Sequence, residues 1–172
     1  MEITYRRLAY QDSDQYREIR LESLKLHPES FGSNYEEQKA MPKLMFQKAI
    51  EQPYDDRFII GAFNHCNLIG ITGFIPFVFE KEDEYKNTGT IIQVYVKASF
   101  RSKGIGFNLM NKAVKEAFQL PYIQKIILGV RKDNISAIRV YQKIGFQSIK
   151  HVNVEKEEEH PEILTMILSR AE

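Results

Sequence analysis

Tryptophan is absent from this chain, and Cys66 is its one cysteine. A lone thiol excludes an internal disulfide framework and suits a reducing cytoplasm. It sits in "FNHCNL", read as a hairpin turn, with no acid–base partner close in sequence. Net charge is also scarce: 24 Lys/Arg against 23 Asp/Glu leave +1, which argues against nucleic acid as a partner. No apolar run reaches membrane-spanning length, and residues 1–10 lack the basic-then-apolar order of a leader. His27, His65, His151 and His160 share no ligand spacing with cysteine or carboxylate, so no metal is expected.

What is present is an ordinary globular composition, 43% hydrophobic and 27% charged over 172 residues. That length supports one core, so residues 1–172 are read as a single domain. The charge is unevenly placed. Residues 101–150 hold ten Lys/Arg and two Asp/Glu, whereas the remainder holds fourteen and twenty-one. A basic half suits a polyphosphorylated ligand. The acidic runs Glu80 to Glu84 and Glu155 to Glu159 would attract a polycation, although charge runs are usually solvated surface.

"EITYRRLAY" reads as a first strand, and Asp12 as the cap of a helix through about Leu26. "HPESFGSNYEE" reads as a loop, and Pro42 to Glu51 as a second helix. "RFIIGAF" and "LIGITGFIPFVF" form a hairpin, and "TGTIIQVYV" a further strand. "YIQKIILGV" is a buried strand, while "FQSIKHV" and "EILTMIL" close the chain. The order βα(α)βββαβαββ is a mixed α/β domain and not a regularly alternating nucleotide fold.

Chemistry concentrates in "VYVKASFRSKGIGFNLMNKAV", residues 94–114. Val94, Tyr95 and Val96 favour a strand. From Ile105 the apolar residues Leu109, Ala113 and Ala117 recur at helical spacing, widened by Met110, Val114 and Phe118. Gly104 and Gly106 therefore stand at a helix start, where orphan N–H groups and the dipole suit an anion. Arg101 and Lys103 add charge. The third glycine of a dinucleotide fingerprint is replaced by Leu109, the next strand carries no ribose-binding carboxylate, and no P-loop is present.

A second group lies in "NISAIRVYQKIGF". Asn134 or Ser136 caps a helix that Gly145 ends, and Ala137, Val140, Tyr141 and Ile144 form one stripe. Tyr141 then points inward, where its hydroxyl needs a partner. The plain alternative is a core tyrosine.

Together, Val94-Tyr95-Val96, Arg101-x-x-Gly104-x-Gly106 and Asn134-x-x-Ala137-x-x-x-Tyr141 resemble the GCN5-related N-acetyltransferase (GNAT) family, and "HPESFG" resembles a loop of its bacterial branch. The resemblance covers essentially the whole chain. It implies a central, mostly antiparallel sheet of about seven strands, splayed between the fourth and fifth, with about four helices. It further implies acetyl-coenzyme A as cosubstrate and no metal. The pyrophosphate would lie on Arg101, Ser102, Lys103, Gly104, Ile105, Gly106 and Phe107, and the pantetheine arm along Val94, Tyr95 and Val96. Asn134, Ala137 and Tyr141 would face the cofactor, Tyr141 as the acid that protonates the leaving thiolate. Phe31, Tyr35 and Glu36 would meet a primary amine acceptor. A cytoplasmic enzyme, compatible with a homodimer, is the expectation; a non-catalytic acyl-coenzyme A sensor on the same fold is the alternative. One departure is clear: many members carry a glutamate base early in the strand before the turn, and Thr90-Ile91-Ile92-Gln93 has no carboxylate. Glu36, Glu37, the acidic loops or a water chain remain open for that role.

Overall fold

The computed structural model describes residues 2–77, 86–149 and 162–171. The acidic runs at 80–84 and 155–159, His151, His160 and the end of "FQSIKHV" beyond residue 149 lie outside them. Seven strands form: β1 (Ile3–Arg7), β2 (Phe58–Asn64), β3 (Asn67–Pro76), β4 (Thr88–Val96), β5 (Lys125–Arg131), β6 (Gln147–Ser148) and β7 (Ile163–Ser169). Five α-helices accompany them: α1 (Ser13–Leu26), α2 (Tyr35–Ala40), α3 (Met45–Glu51), α4 (Ile105–Ala117) and α5 (Ile135–Ile144). The strands make one sheet in the order β1-β2-β3-β4-β5-β7-β6. Every neighbouring pair is antiparallel except β4 and β5.

Both faces of the sheet are covered, which explains why β2 is apolar at almost every residue. Ile59 and Phe63 pack with Tyr16, Ile19, Phe46 and Ile50 of α1 and α3. Phe58, Ile60 and Ala62 turn to the other face, where Leu109, Met110 and Ala113 of α4 cover them. Alternation along a strand divides the two sets. Among the described residues no helix is long and apolar enough to cross a membrane.

Three local expectations change. Asp12 stands at the start of α1 but does not cap it: its carboxylate accepts from Arg6 (2.6 and 2.9 Å) and from the Ala9 N–H (2.8 Å). The charged fork of Arg6 outcompetes the helix N–H groups. The segment read as a loop contains α2, started by Asn34, whose side chain accepts from the Glu37 N–H at 3.2 Å. The next helix begins at Met45 and not Pro42; Leu44 precedes it, its N–H bonded to the Gln47 side chain at 2.9 Å.

Candidate active site

The parallel pairing of β4 with β5 stops after three residue pairs, Thr88–Lys125, Gly89–Ile126 and Thr90–Ile127. Beyond Thr90, β4 continues against β3 and β5 continues against β7, so the two strands part and a wedge opens. The Lys97 N–H bonds to Ile69 on the β3 side. By the alternation of backbone groups, Val96 presents its own N–H and carbonyl to the wedge. That carbonyl accepts from Arg101 Nε at 2.9 Å.

A bulge sharpens the parting. Between the pairs Ile71–Tyr95 and Gly73–Ile92 the register shifts, and Gln93 takes a left-handed φ of +57°. For a non-glycine residue this conformation costs about 1–2 kcal/mol. The Gln93 side chain accepts from the Tyr16 hydroxyl at 2.8 Å, which anchors the bulge to α1.

The glycine turn stands at the end of the wedge. Ser102 (φ +61°) and Gly104 (φ +75°) bend the chain into α4, and no side chain caps the helix. The first bond into the helix is Asn108 N–H to the Gly104 carbonyl, so the N–H groups of Ile105, Gly106 and Phe107 stay available. A side chain added at Gly104 would meet nothing within 4 Å, and one at Gly106 only Val96 at 4.0 Å. The backbone here is open to a bulky anion.

Wedge and turn border one cleft of about 560 Å³. Val94, Tyr95 and Val96 line it from β4; Arg101, Ser102, Gly104, Ile105, Gly106 and Phe107 from the turn; Asn134, Ala137 and Tyr141 from α5. Phe31 joins them from the loop after α1. Lys103 does not: its ammonium reaches the Ser99 carbonyl at 3.4 Å and the Phe100 ring. Tyr35 and Glu36 are also outside the cleft lining, with Tyr35 under Lys39 of its own helix.

Tyr141 is 6% exposed and packs beside Phe146. Its hydroxyl forms no hydrogen bond with another described residue, and burial pushes the phenol well above its ordinary pKa. It therefore stays protonated through the physiological range. Asn134 spends its side-chain carbonyl on the Ala137 N–H at 3.2 Å.

Sequence reading passed over several residues at this wall and behind it. His27 receives Arg101 Nη2 at 2.9 Å, and Glu22 accepts from the Tyr95 hydroxyl at 2.8 Å. Burial, with Glu22 beside it, pushes the Tyr95 phenol up to about 12. Among the described residues the cleft carboxylates are Glu29 and Asp133, and Asp133 is held by both nitrogen arms of Arg131. Only "HPESFG" hinted at this wall, through its position after α1.

Residues 15–146 match the model of the acetyltransferase (GNAT) family. The chain belongs to that family. The spermine/spermidine N(1)-acetyltransferase of Bacillus subtilis (strain 168) is 25% identical over 88 residues, 51% of this chain and 58% of the relative. The spermidine N(1)-acetyltransferase of Vibrio cholerae is 26% identical over 108 residues, 63% and 58%. The chain thus spans under two thirds of these curated relatives. Among solved structures, the yncA protein of Salmonella typhimurium, determined with its cofactor acetyl-CoA, superposes with a TM-score of 0.73 at 18% identity, covering 100% of this chain and 96% of that one. A GNAT acetyltransferase of Streptococcus pneumoniae gives 0.73 at 17% identity, covering 99% and 100%. The splayed seven-stranded sheet is the GNAT fold.

Proposed function

We propose that this GNAT chain transfers an acetyl group from acetyl-coenzyme A to a primary amine of a small molecule or peptide. The observation that carries the reading is the wedge: an unpaired β4 edge leading into an uncapped helix start. An extended arm can pair with such an edge as an added strand does. Orphan N–H groups beside open glycine backbone suit a pyrophosphate. Val94 to Val96 would hold the pantetheine arm and Arg101 to Phe107 the phosphates, with Asn134 and Ala137 facing them from α5. The relatives named for spermine and spermidine support an amine acceptor.

Bound acetyl-coenzyme A supplies an activated acetyl thioester. A β4 N–H at the wedge withdraws charge from a carbonyl placed there, which favours attack by an amine. Tyr141 holds a proton at its hydroxyl oxygen and delivers it to the departing thiolate as the C–S bond breaks and the N–C bond forms. The hydroxyl supports this role, because a buried phenol with no partner among the described residues can take a bond from what enters the cleft. The acceptor's proton leaves to Glu29 or to solvent.

The absence of a carboxylate from Thr90 to Gln93 favours a second reading, an acyl-coenzyme A sensor. A library of amine acceptors, each followed by thiol release from acetyl-coenzyme A, separates the two. Transfer to any amine supports the enzyme. Tight binding without transfer to any of them supports the sensor.

A further inference from the structure

Arg20 has no task in the chemistry above. It lies on α1, is 3% exposed, and its Nε and Nη1 are enclosed without a hydrogen-bond partner. Its guanidinium carbon stands 4.8 Å from the centre of the Phe31 ring, and Phe31 borders the cleft. Among the described residues no carboxylate acts on it. Tyr16, one helical turn earlier, does, but burial pushes that phenol up and keeps it neutral. The Tyr16 hydroxyl is itself given to Gln93 at the β4 bulge. Behind Phe31, therefore, stands a buried cation with no counter-ion among the described residues, a strongly unfavourable arrangement unless an anion joins it.

We infer that Arg20 is an anion subsite for the acceptor, so the amine acetylated by this chain also carries a carboxylate. The inference rests on the acetyltransferase reading. A guanidinium offers a planar fork that takes both oxygens of a carboxylate. Phe31, half-buried beside that fork, also borders the cleft and so links the two. The same cation repels a polyamine. Discrimination thus runs against the acceptors for which the curated relatives are named.

Paired acceptors decide the question: free α-, β- and γ-amino acids and acidic dipeptides, each against its carboxamide, with spermidine as a further arm. Thiol release from acetyl-coenzyme A gives kcat/KM for each. The acids are favoured over their amides by about 10–100-fold, the scale of a hydrogen bond to a charged group. In Arg20→Met the acid-to-amide ratio falls to near one, while the melting temperature holds or rises because an unpaired buried charge has gone. A second readout needs no turnover. The N-acetylated product of the best acid raises the wild-type melting temperature more than its amide does, and Arg20→Met removes that difference.

Transfer to amides or spermidine as fast as to acids overturns the inference and leaves the acetyltransferase reading standing. Binding of acetyl-coenzyme A without transfer to any acid overturns it too. No binding of acetyl-coenzyme A removes the parent reading itself. The wild-type ratio needs no variant, so a poorly folded Arg20→Met does not rescue the proposal.

Discussion

The Tyr16 hydroxyl donates to Gln93 Oε1 at 2.8 Å and so fastens α1 to a β4 residue held at φ +57°. One bond fixes the strained bulge next to the wedge. Removing the hydroxyl in Tyr16→Phe should cost about 1 kcal/mol of stability, a typical buried hydrogen bond. Gln93→Gly should relieve the left-handed strain while losing the same bond. A double-mutant cycle from urea melts should return a coupling of about 1 kcal/mol; additive effects would show that the two side chains do not support one another.

At the turn, Gly106→Val is the cleaner test of the anion site. Gly104 needs its positive φ, so a valine there strains the backbone by about 1–2 kcal/mol before any ligand arrives. Gly106 carries no such requirement and has room beside it. The Gly106→Val variant should melt within about 1 kcal/mol of wild type, since valine is no worse a helix former than the glycine it replaces. Acetyl-coenzyme A should no longer raise its melting temperature, whereas at 100 times the dissociation constant it should add about 2.7 kcal/mol to wild type. An unaltered ligand shift in the variant would place the phosphates elsewhere.

Tyr141→Phe removes only a hydroxyl that has no partner among the described residues. The melt should change little, and kcat should fall by about 10²–10⁴-fold, the range of general acid catalysis. KM for acetyl-coenzyme A should hold, because the interaction strengthens in the transition state. Since burial raises the Tyr141 pKa, the wild-type rate should show no basic limb from this group below about pH 10, its unperturbed value. Wild-type turnover in the variant would return Tyr141 to the core-tyrosine reading.

Acid should weaken the anchor of α1. Burial alone would raise the Asp12 pKa, but the Arg6 guanidinium and the Ala9 N–H outweigh it and hold the carboxyl below its ordinary value. A depressed folded pKa gives stability that is complete above the unfolded value of about 4 and is lost as pH falls through the folded one. Asp12→Asn should therefore cost about 2 kcal/mol at pH 7, the scale of a hydrogen bond to a charged group. Urea melts at pH 7 and pH 3 should show the gap from wild type shrinking in acid. A constant gap would assign the loss to packing.

The parts legible in sequence were those written in local periodicity. The α4 stripe from Ile105 to Ala117, the α5 stripe around Tyr141 and the αL stop at Gly145 are short-range signals, and the structure follows them. What the sequence hid depends on contacts between distant segments. Arg6 captures Asp12 across a strand end, so a cap residue becomes an ion-pair partner. Helix α2 is six residues long, too short for periodicity to speak, and only the Asn34–Glu37 spacing marks it. His27 borders the cleft, with Glu22 and Arg20 behind it against Tyr95 and Phe31, a relation no window of sequence contains. Lys103 shows the converse: its place in a motif did not determine where its ammonium points.

The halting of β4–β5 pairing after Thr90 also has a mechanical meaning. One plate of four strands and another of three meet along a seam only three rungs long. The seam lies at Thr88–Thr90, and the strands part from there toward the Gly104 turn. A molecule that adds rungs between the plates acts as a splint, stiffening strands it does not otherwise touch. Amide exchange at Val96 therefore reports whether such rungs have been added.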